Sequence, residues 1–364
     1  MARGFSCLVL PNDRLSIYEK QGTISHFFER LEYYCGSLGE VFVLNIDIKP
    51  VSWRGSAKVI NKRAFGFKPL DLLQQFFWAL YYGFKLNPAF FRSFESATFL
   101  KSGLFGLAAK LLRKKSVVSI HGTYHKQAHI LGFKAYQIPV FKLFEWITKK
   151  THDAAFVIDP MYLEELRWKN IWLIPNFVDT DRFKPVQSRK KWDGLFVGSL
   201  TPRKGIPILL DAIAIVKKTL PKARFAVAGF GPQENLVRKA DVDYLGGVPH
   251  EKLPKIYAQA RFLCTATLHE GFAIPVAEAQ ACGLPVVATD LPPFYNNTIP
   301  GKTSLFFPSG DSKKLAGLMA SLIRNPEKAR RMGLAGRKFV EGRFGKNEVL
   351  GKETLLIKRI FKRS

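Results

Sequence analysis

The sequence predicts an α/β chain of two doubly wound, Rossmann-like domains that face each other across a cleft. Three observations carry this. Short, continuous apolar runs alternate with amphipathic stretches, the pattern of β-α units wound around parallel sheets. The pattern runs twice, with the polar, basic stretch FKPVQSRKKW (183–192) between the two series. And 364 residues hold about two domains of ordinary size, each long enough to bury its own core.

In the first series the runs are FSCLVL, VFVLNID, SVVSIHG, AAFVID and NIWLIP. Strands buried on both faces of a parallel sheet read as unbroken apolar runs of this kind. Helical stretches lie between them, around 23–35, 102–113 and 137–150. The second series is GLFVG, RFAVAG, RFLCTAT, PVVATD and TSLFF. Its first helix, Ile206 to Leu220, sets Leu209, Leu210, Ile213 and Val216 on one face and stops before Pro221. Doubly wound sheets bind ligands outside the carboxyl ends of their strands, so two in series place a site in the cleft between them.

A hydrophobic fraction of 47% with 23% charged residues excludes a disordered chain. The 56 Lys and Arg against 29 Asp and Glu leave a formal charge of +27, which calls for an anionic partner: nucleic acid, an acidic membrane surface or a phosphorylated substrate. Cys7, Cys35, Cys264 and Cys282 are scattered with no Cys-x-x-Cys pair, so neither a zinc site nor a disulfide framework is expected and a reducing cytosol is the default. The opening MARGFSCLVLP is too short an apolar run for a signal peptide. The longest greasy stretch, FFWALYYGF (76–84), is well below membrane-spanning length, which leaves peripheral contact as the mode open to it.

The stretch richest in chemistry is HEGFAIPVAEAQACGLPVVATD (269–290). Glu270 and Glu278 have seven residues between them, and Pro275 suits the first turn of a helix. The turn Gly271–Ile274 then offers backbone N–H groups at the positive end of that helix, where an anion or sugar hydroxyl binds well. A glycosidase-type carboxylate pair and two ordinary helix-start glutamates favoured by the macrodipole are the competing readings.

These residues resemble the Glu-(seven residues)-Glu signature of the retaining GT-B glycosyltransferases, the group 1 family, and the rest of the second half agrees in order. VGSLTPRKGIPILLDAI (197–213) is similar to the family's phosphate-loop strand and helix, and AGFGP (228–232) to its Gly-x-Gly-Pro turn. LGGVPHEKLPKIYAQA (245–260) resembles its nucleotide-edge segment, and IPNFVDTDRF (174–183) the strand and turn that lead into the linker. The resemblance spans 165–310, and several ordered motifs together are far more specific than one.

The resemblance implies a GT-B fold divided as 1–182 (acceptor side), 183–344 (nucleotide-sugar side) and a helix 345–364 that crosses back to the first domain. It implies a glycosyltransferase of glycan biosynthesis using a UDP- or GDP-linked sugar, without metal or other cofactor and with retention of configuration. Glu278 would grip the donor ribose and Glu270 the transferred sugar. Lys204 and Arg203 would neutralise the leaving diphosphate, whose growing negative charge needs preorganised cations and amides in any such reaction. The amides of Gly271, Phe272 and Ala273, the Gly231 turn and Val248 complete the donor side. Where the family has an arginine after the strand, this chain has Ser199, and Arg203 stands in for it. After PVVATD the family's Gly-Gly is replaced by LPPFYNN (291–297).

In the first half, EKQGTISHFFERL (19–31) resembles the family's Gly-Gly loop, with Gln21 for the first glycine, Gly22 for the second and His26 after them. A glycine at a helix start lets backbone approach a phosphate or sugar closely. SIHGTYH (119–125) puts His121 at the end of a buried strand, where the resemblance places a histidine beside the donor sugar. His121, His125 and His129 are four apart, but Gly122 interrupts the helix start and no carboxylate joins them, so no metal is assigned. The Asp179–Asp181 and Asp241–Asp243 pairs fall in turns and are read as incidental.

Donor binding uses two or three cations and leaves most of the excess unexplained. SGLFGLAAKLLRKKS (102–116) sets Leu104, Leu107, Leu111 and Leu112 beside Lys110, Arg113, Lys114 and Lys115, and KETLLIKRIFKRS at 352–364 is similar. Each reads first as a helix packed on its sheet and second as a basic amphipathic surface for anionic lipid. With the aromatics at 76–84, the charge points to a cytoplasmic enzyme held peripherally on the membrane face, with a glycan or lipid-linked acceptor. A basic nucleic-acid-binding protein is the rival from another class, but no nucleic-acid recognition signature is present. A glycosyl phosphorylase or sugar epimerase on the same fold is the rival within it.

Overall fold

The computed structural model describes residues 5–20, 24–95, 99–121 and 134–361. Two compact units divide it: Met1–Pro175 with Leu350–Ser364, and Asn176–Val349.

The first unit is built on a seven-stranded parallel sheet: β1 Cys7–Leu10, β2 Val41–Asp47, β3 Lys58–Arg63, β4 Phe90–Glu95, β5 Lys115–Ile120, β6 Ala154–Val157 and β7 Ile171–Leu173, in the order β3-β2-β1-β4-β5-β6-β7. The central strands are buried at nearly every position, as the continuous apolar runs require. Two strands escape the sequence pattern. β3, KVINKR, is a polar, half-exposed edge strand. β4, FFRSFE, carries two charges yet is buried at all six positions. Arg92 of β4 is fully buried and donates to Glu353 (2.6 Å) and to Ser119 Oγ (2.6 Å). Arg30 lies 3.5 Å from the same carboxylate. Glu353 sits on the last helix, Lys346–Phe361, whose residues from Leu350 onward belong to this unit.

The second unit has β8 Trp192–Val197, β9 Phe225–Ala228, β10 Asp243–Gly246, β11 Ala260–Thr265, β12 Val286–Thr289 and β13 Ser304–Phe307, all parallel in the order β10-β9-β8-β11-β12-β13. This is the Rossmann strand order. Helix Ile206–Thr219 buries Leu209, Ile213 and Val216 in the core with Val227, Cys264 and Leu315. Helices Ser312–Arg324 and Pro326–Phe344 start where Asp311 and Asn325 accept the Lys314 and Lys328 amides at 2.8 and 2.9 Å.

The stretch 183–192, expected as a linker, lies inside this unit. Its lead-in is held there: Val178 bridges to Gly345, Arg337 donates to the carbonyls of Thr180 (3.0 Å) and Phe183 (2.5 Å), and Phe183 is buried against His250. All four cysteines are free, three of them buried. Among the described residues no helix is long and apolar enough to cross a membrane.

Candidate active site

In the second unit the strand order reverses between β8 and β11, so the carboxyl ends of these neighbours flank the crevice where a doubly wound sheet takes its ligand. Beyond β8 the chain turns through Gly198 and Ser199 into a short 3-10 turn, Pro202–Lys204. Beyond β11 it passes Glu270 into helix Ile274–Ala281. Two glycines let these loops, and the loop after β9, touch. A Cβ on Gly205 (φ 63°) would lie 2.0 Å from the Ala266 carbonyl oxygen, and one on Gly229 (φ 149°) 1.8 Å from that of Gly198. The loops are then tied: the Leu268 amide (2.8 Å) and Thr267 Oγ1 (3.1 Å) both donate to the Arg203 carbonyl.

Three side chains converge there. Lys204 donates to one oxygen of Glu270, and Arg203 to the other (3.4 Å) and to the His269 carbonyl (2.9 Å). Burial alone would raise the Glu270 carboxyl, but the Lys204 and Arg203 charges overcome it and hold the group below the usual carboxylate range. The Gly271 amide donates to the same carboxylate. Burial, then the Arg203 charge, pushes the His269 imidazole down. Two cations against one carboxylate leave this corner net positive, with its cations already oriented.

Glu278 stands in the second turn of the following helix and is 2% exposed. Each of its oxygens accepts a hydrogen bond from within the unit, one from His250 Nε2 (2.5 Å) and one from Tyr257 Oη (2.9 Å). Arg182 donates to His250 Nδ1 at 3.2 Å, which leaves the ring proton on Nε2, facing Glu278. The Arg182–His250–Glu278–Tyr257 network was not assigned from sequence. The signal available was a histidine two residues after Val248, on a segment read as following the nucleotide edge.

Of the other expected donor residues, Ser199 is exposed in the bend after β8, and Gly231 lies against the Leu200 carbonyl in the loop after β9. Val248 is half-buried beyond β10, and Phe272 and Ala273 are buried just before the Glu278 helix. LPPFYNN forms helix Pro292–Asn297, where Tyr295 donates to Asp290 at 2.6 Å. Asp179 caps its own turn by accepting the Asp181 and Arg182 amides at 3.1 Å, and Asp243 accepts from Trp192 and Arg224. Among the described residues no group of three or more His, Cys, Asp or Glu is placed to hold a metal ion.

In the first unit, His121 follows β5, its amide donating to the Glu95 carbonyl at 2.8 Å. Its Nε2 is buried with no hydrogen-bond partner among the described residues. Burial first, then the Arg30 and Arg92 charges, pushes its pKa down to about 3, so the ring is neutral. Gly22, His125 and His129 lie outside the described residues.

Residues 177–339 match the family of glycosyl transferases, group 1. This stretch is a group 1 glycosyltransferase domain. The chain is 32% identical over 191 residues to a GDP-mannose-dependent phosphatidylinositol monomannoside mannosyltransferase of Mycolicibacterium smegmatis, covering 45% of this chain and 50% of the relative. It is 34% identical over 130 residues to a phosphatidylinositol N-acetylglucosaminyltransferase component of Arabidopsis thaliana, covering 33% of this chain and 29% of the relative. The chain thus spans half or less of the length of these two curated relatives. Among solved structures, a sucrose-phosphate synthase of Thermosynechococcus elongatus superposes with a TM-score of 0.79 over 99% of this chain and 100% of its own, at 19% identity. An Anabaena protein in complex with UDP and glucose gives 0.76 over 98% and 100%, at 14% identity. The two Rossmann-like units thus match the GT-B fold of these structures.

Proposed function

We propose that this glycosyltransferase moves a sugar from a UDP- or GDP-linked donor to an acceptor carried on lipid, with retention of configuration and without metal. One observation carries the reading: Lys204, Arg203 and Glu270 are locked together at the switch point of a group 1 domain. A diphosphate arriving there adds negative charge where two cations share one carboxylate, and those cations stabilise it further as it leaves. The acceptor oxygen bonds to the sugar's anomeric carbon on the face from which the diphosphate departs. The bond to the departing phosphate oxygen breaks, and that oxygen takes the acceptor's proton. No side chain serves as a covalent nucleophile.

Glu278 accepts a ribose hydroxyl through its remaining lone pairs, held in orientation by His250 and Tyr257. His121, neutral and with an Nε2 that has no hydrogen-bond partner among the described residues, is the first unit's candidate for the transferred sugar. A relative named for GDP-mannose and a structural neighbour bound to UDP support either nucleotide. Relatives named for phosphatidylinositol, together with the +27 charge, support a lipid-carried acceptor and a peripheral place on the cytoplasmic face of a membrane. Specific nucleic-acid binding is not part of this reading.

The test is product analysis. Incubation with nucleotide sugars and lipid acceptors, followed by NMR of the new linkage, should give the donor's anomeric configuration and full turnover in EDTA. Inversion, or loss of activity on chelation, contradicts the mechanism. A requirement for inorganic phosphate, or sugar product without acceptor transfer, identifies a phosphorylase or epimerase instead.

A further inference from the structure

In the basic stretch 102–116, Leu104, Leu107 and Leu112 are half-buried and Leu111 alone of the four leucines is exposed, at 60%, so no continuous apolar face is presented. Helix Leu100–Leu111 buries Phe105, Ala108 and Ala109, and Lys110, Lys114 and Lys115 are engaged by Lys150, Asn87 and Asp153. The neighbouring helix, Lys68–Leu86, does the opposite. Its inner side buries Gln75, Ala79 and Gly83. Its outer side exposes Leu70, Leu73, Phe77, Tyr81 and Phe84, between 46% and 81%. At 100° per residue these five fall in one stripe about 80° wide, along a helix about 28 Å long. From Pro69 to Phe84 every exposed side chain of this helix is apolar or aromatic. Phe65 and Phe67, 68% and 62% exposed, precede the helix. A soluble surface rarely leaves such a row bare unless something covers it.

The border of the stripe says what covers it. Lys62 lies 3.9 Å over the Trp78 ring and 5.3 Å over Tyr82, and Lys85 sits 5.6 Å over Tyr81. Arg63 is exposed on the adjoining strand and Arg113 beyond the neighbouring helix. The helix's single acid, Asp71, is neutralised by Arg14 at 2.8 Å. Aromatic rings flanked by cations, with no unpaired acid on the helix, match an anionic bilayer surface: rings enter the acyl boundary and ammonium groups meet phosphates. On the other side of helix Leu100–Leu111, helix Ile138–Thr151 repeats the arrangement, exposing Val140, Leu143 and Trp146 beside Lys142, Lys149 and Lys150.

We infer that the outer face of helix Lys68–Leu86 is a membrane-docking surface that lies in the headgroup region of an anionic bilayer. This deepens the reading of a lipid-carried acceptor and rests on it for its purpose. Its test uses neither donor nor acceptor, so the two fail separately.

The full chain is co-sedimented with phosphatidylcholine vesicles with and without phosphatidylglycerol, beside the variant Leu73→Gln, Phe77→Gln, Phe84→Gln. The wild type should bind the anionic vesicles and release as salt rises. The variant alters exposed positions, so it should keep the wild-type melting temperature and lose about tenfold in partitioning for each apolar side chain replaced. A folded variant that binds as the wild type does overturns the proposal. So does a wild type that ignores phosphatidylglycerol, or one that sediments as a dimer which the variant dissolves while neither binds vesicles. In that last case the stripe is a contact between copies of the chain.

Discussion

Replacing Glu278 by alanine should destabilise the second unit as well as weaken donor binding. The carboxylate is buried and receives the His250 Nε2 and Tyr257 Oη donors at 2.5 and 2.9 Å. Its removal strands the His250 donor and leaves Tyr257 only the longer contact to the Pro275 carbonyl, 3.4 Å away, for a total of about 2–4 kcal/mol. Glu278→Gln keeps one acceptor but turns an NH2 toward a donor. Tyr257 can relieve this by rotating its hydroxyl to the Pro275 carbonyl, 3.4 Å away. The glutamine variant should therefore lose about 1–2 kcal/mol. A domain of this size shifts by about 2–4 °C per kcal/mol, so melting should drop by roughly 10 °C for alanine and a few degrees for glutamine. Calorimetry of the two variants and of Tyr257→Phe reads this directly. If Glu278→Ala melts with the wild type while losing donor affinity, the carboxylate is not braced by His250 and Tyr257 and the network argument is wrong.

Other outcomes follow from the same physics. Glu353→Gln removes the carboxylate charge that Arg92 and Arg30 share in the first unit, and should cost about 3–5 kcal/mol in denaturant unfolding. The Arg92→Met, Glu353→Leu pair should recover part of that loss, since Arg30 keeps its charge beside the new leucine, and equal destabilisation by single and double variants would contradict it. Acid should unfold the first unit early. His121 and His152 are held near 3 and 4 by burial in the folded chain, against 6.5 when unfolded. Over that interval the unfolded chain binds more protons, so the stability present above pH 6.5 is lost as pH falls toward 4. A flat melting temperature from pH 7 to 5 would exclude this.

Much of this was legible because buried parallel strands announce themselves as apolar runs: FAVA of β9 and VVAT of β12 are buried throughout. What escaped did so for identifiable reasons. β4 hides Arg92 because its counter-charge, Glu353, is far away in sequence, and no local pattern reports such a pairing. β3 is a polar edge. The motif around Glu270 was visible as residue types at a spacing, yet the Lys204 and Arg203 contacts depend on how two loops cross at Gly205. His250 as the partner of Glu278 required a fold that brings separate helices together. The exposed stripe was half legible. The aromatics at 76–84 stood out, but which of them face outward is set by the inner packing of Ala79 and Gly83.

The central claim is that the Lys204–Arg203–Glu270 corner receives the diphosphate of a nucleotide sugar. Titration calorimetry of UDP, GDP and their sugars against the wild type and Lys204→Ala tests it most directly. One nucleotide series should bind the wild type with or without EDTA. Its affinity should fall about 10- to 100-fold in Lys204→Ala, the worth of one charge-assisted contact, while the free nucleoside binds both proteins alike. Nucleotide affinity unchanged by Lys204→Ala, or no binding of either series, would contradict the account.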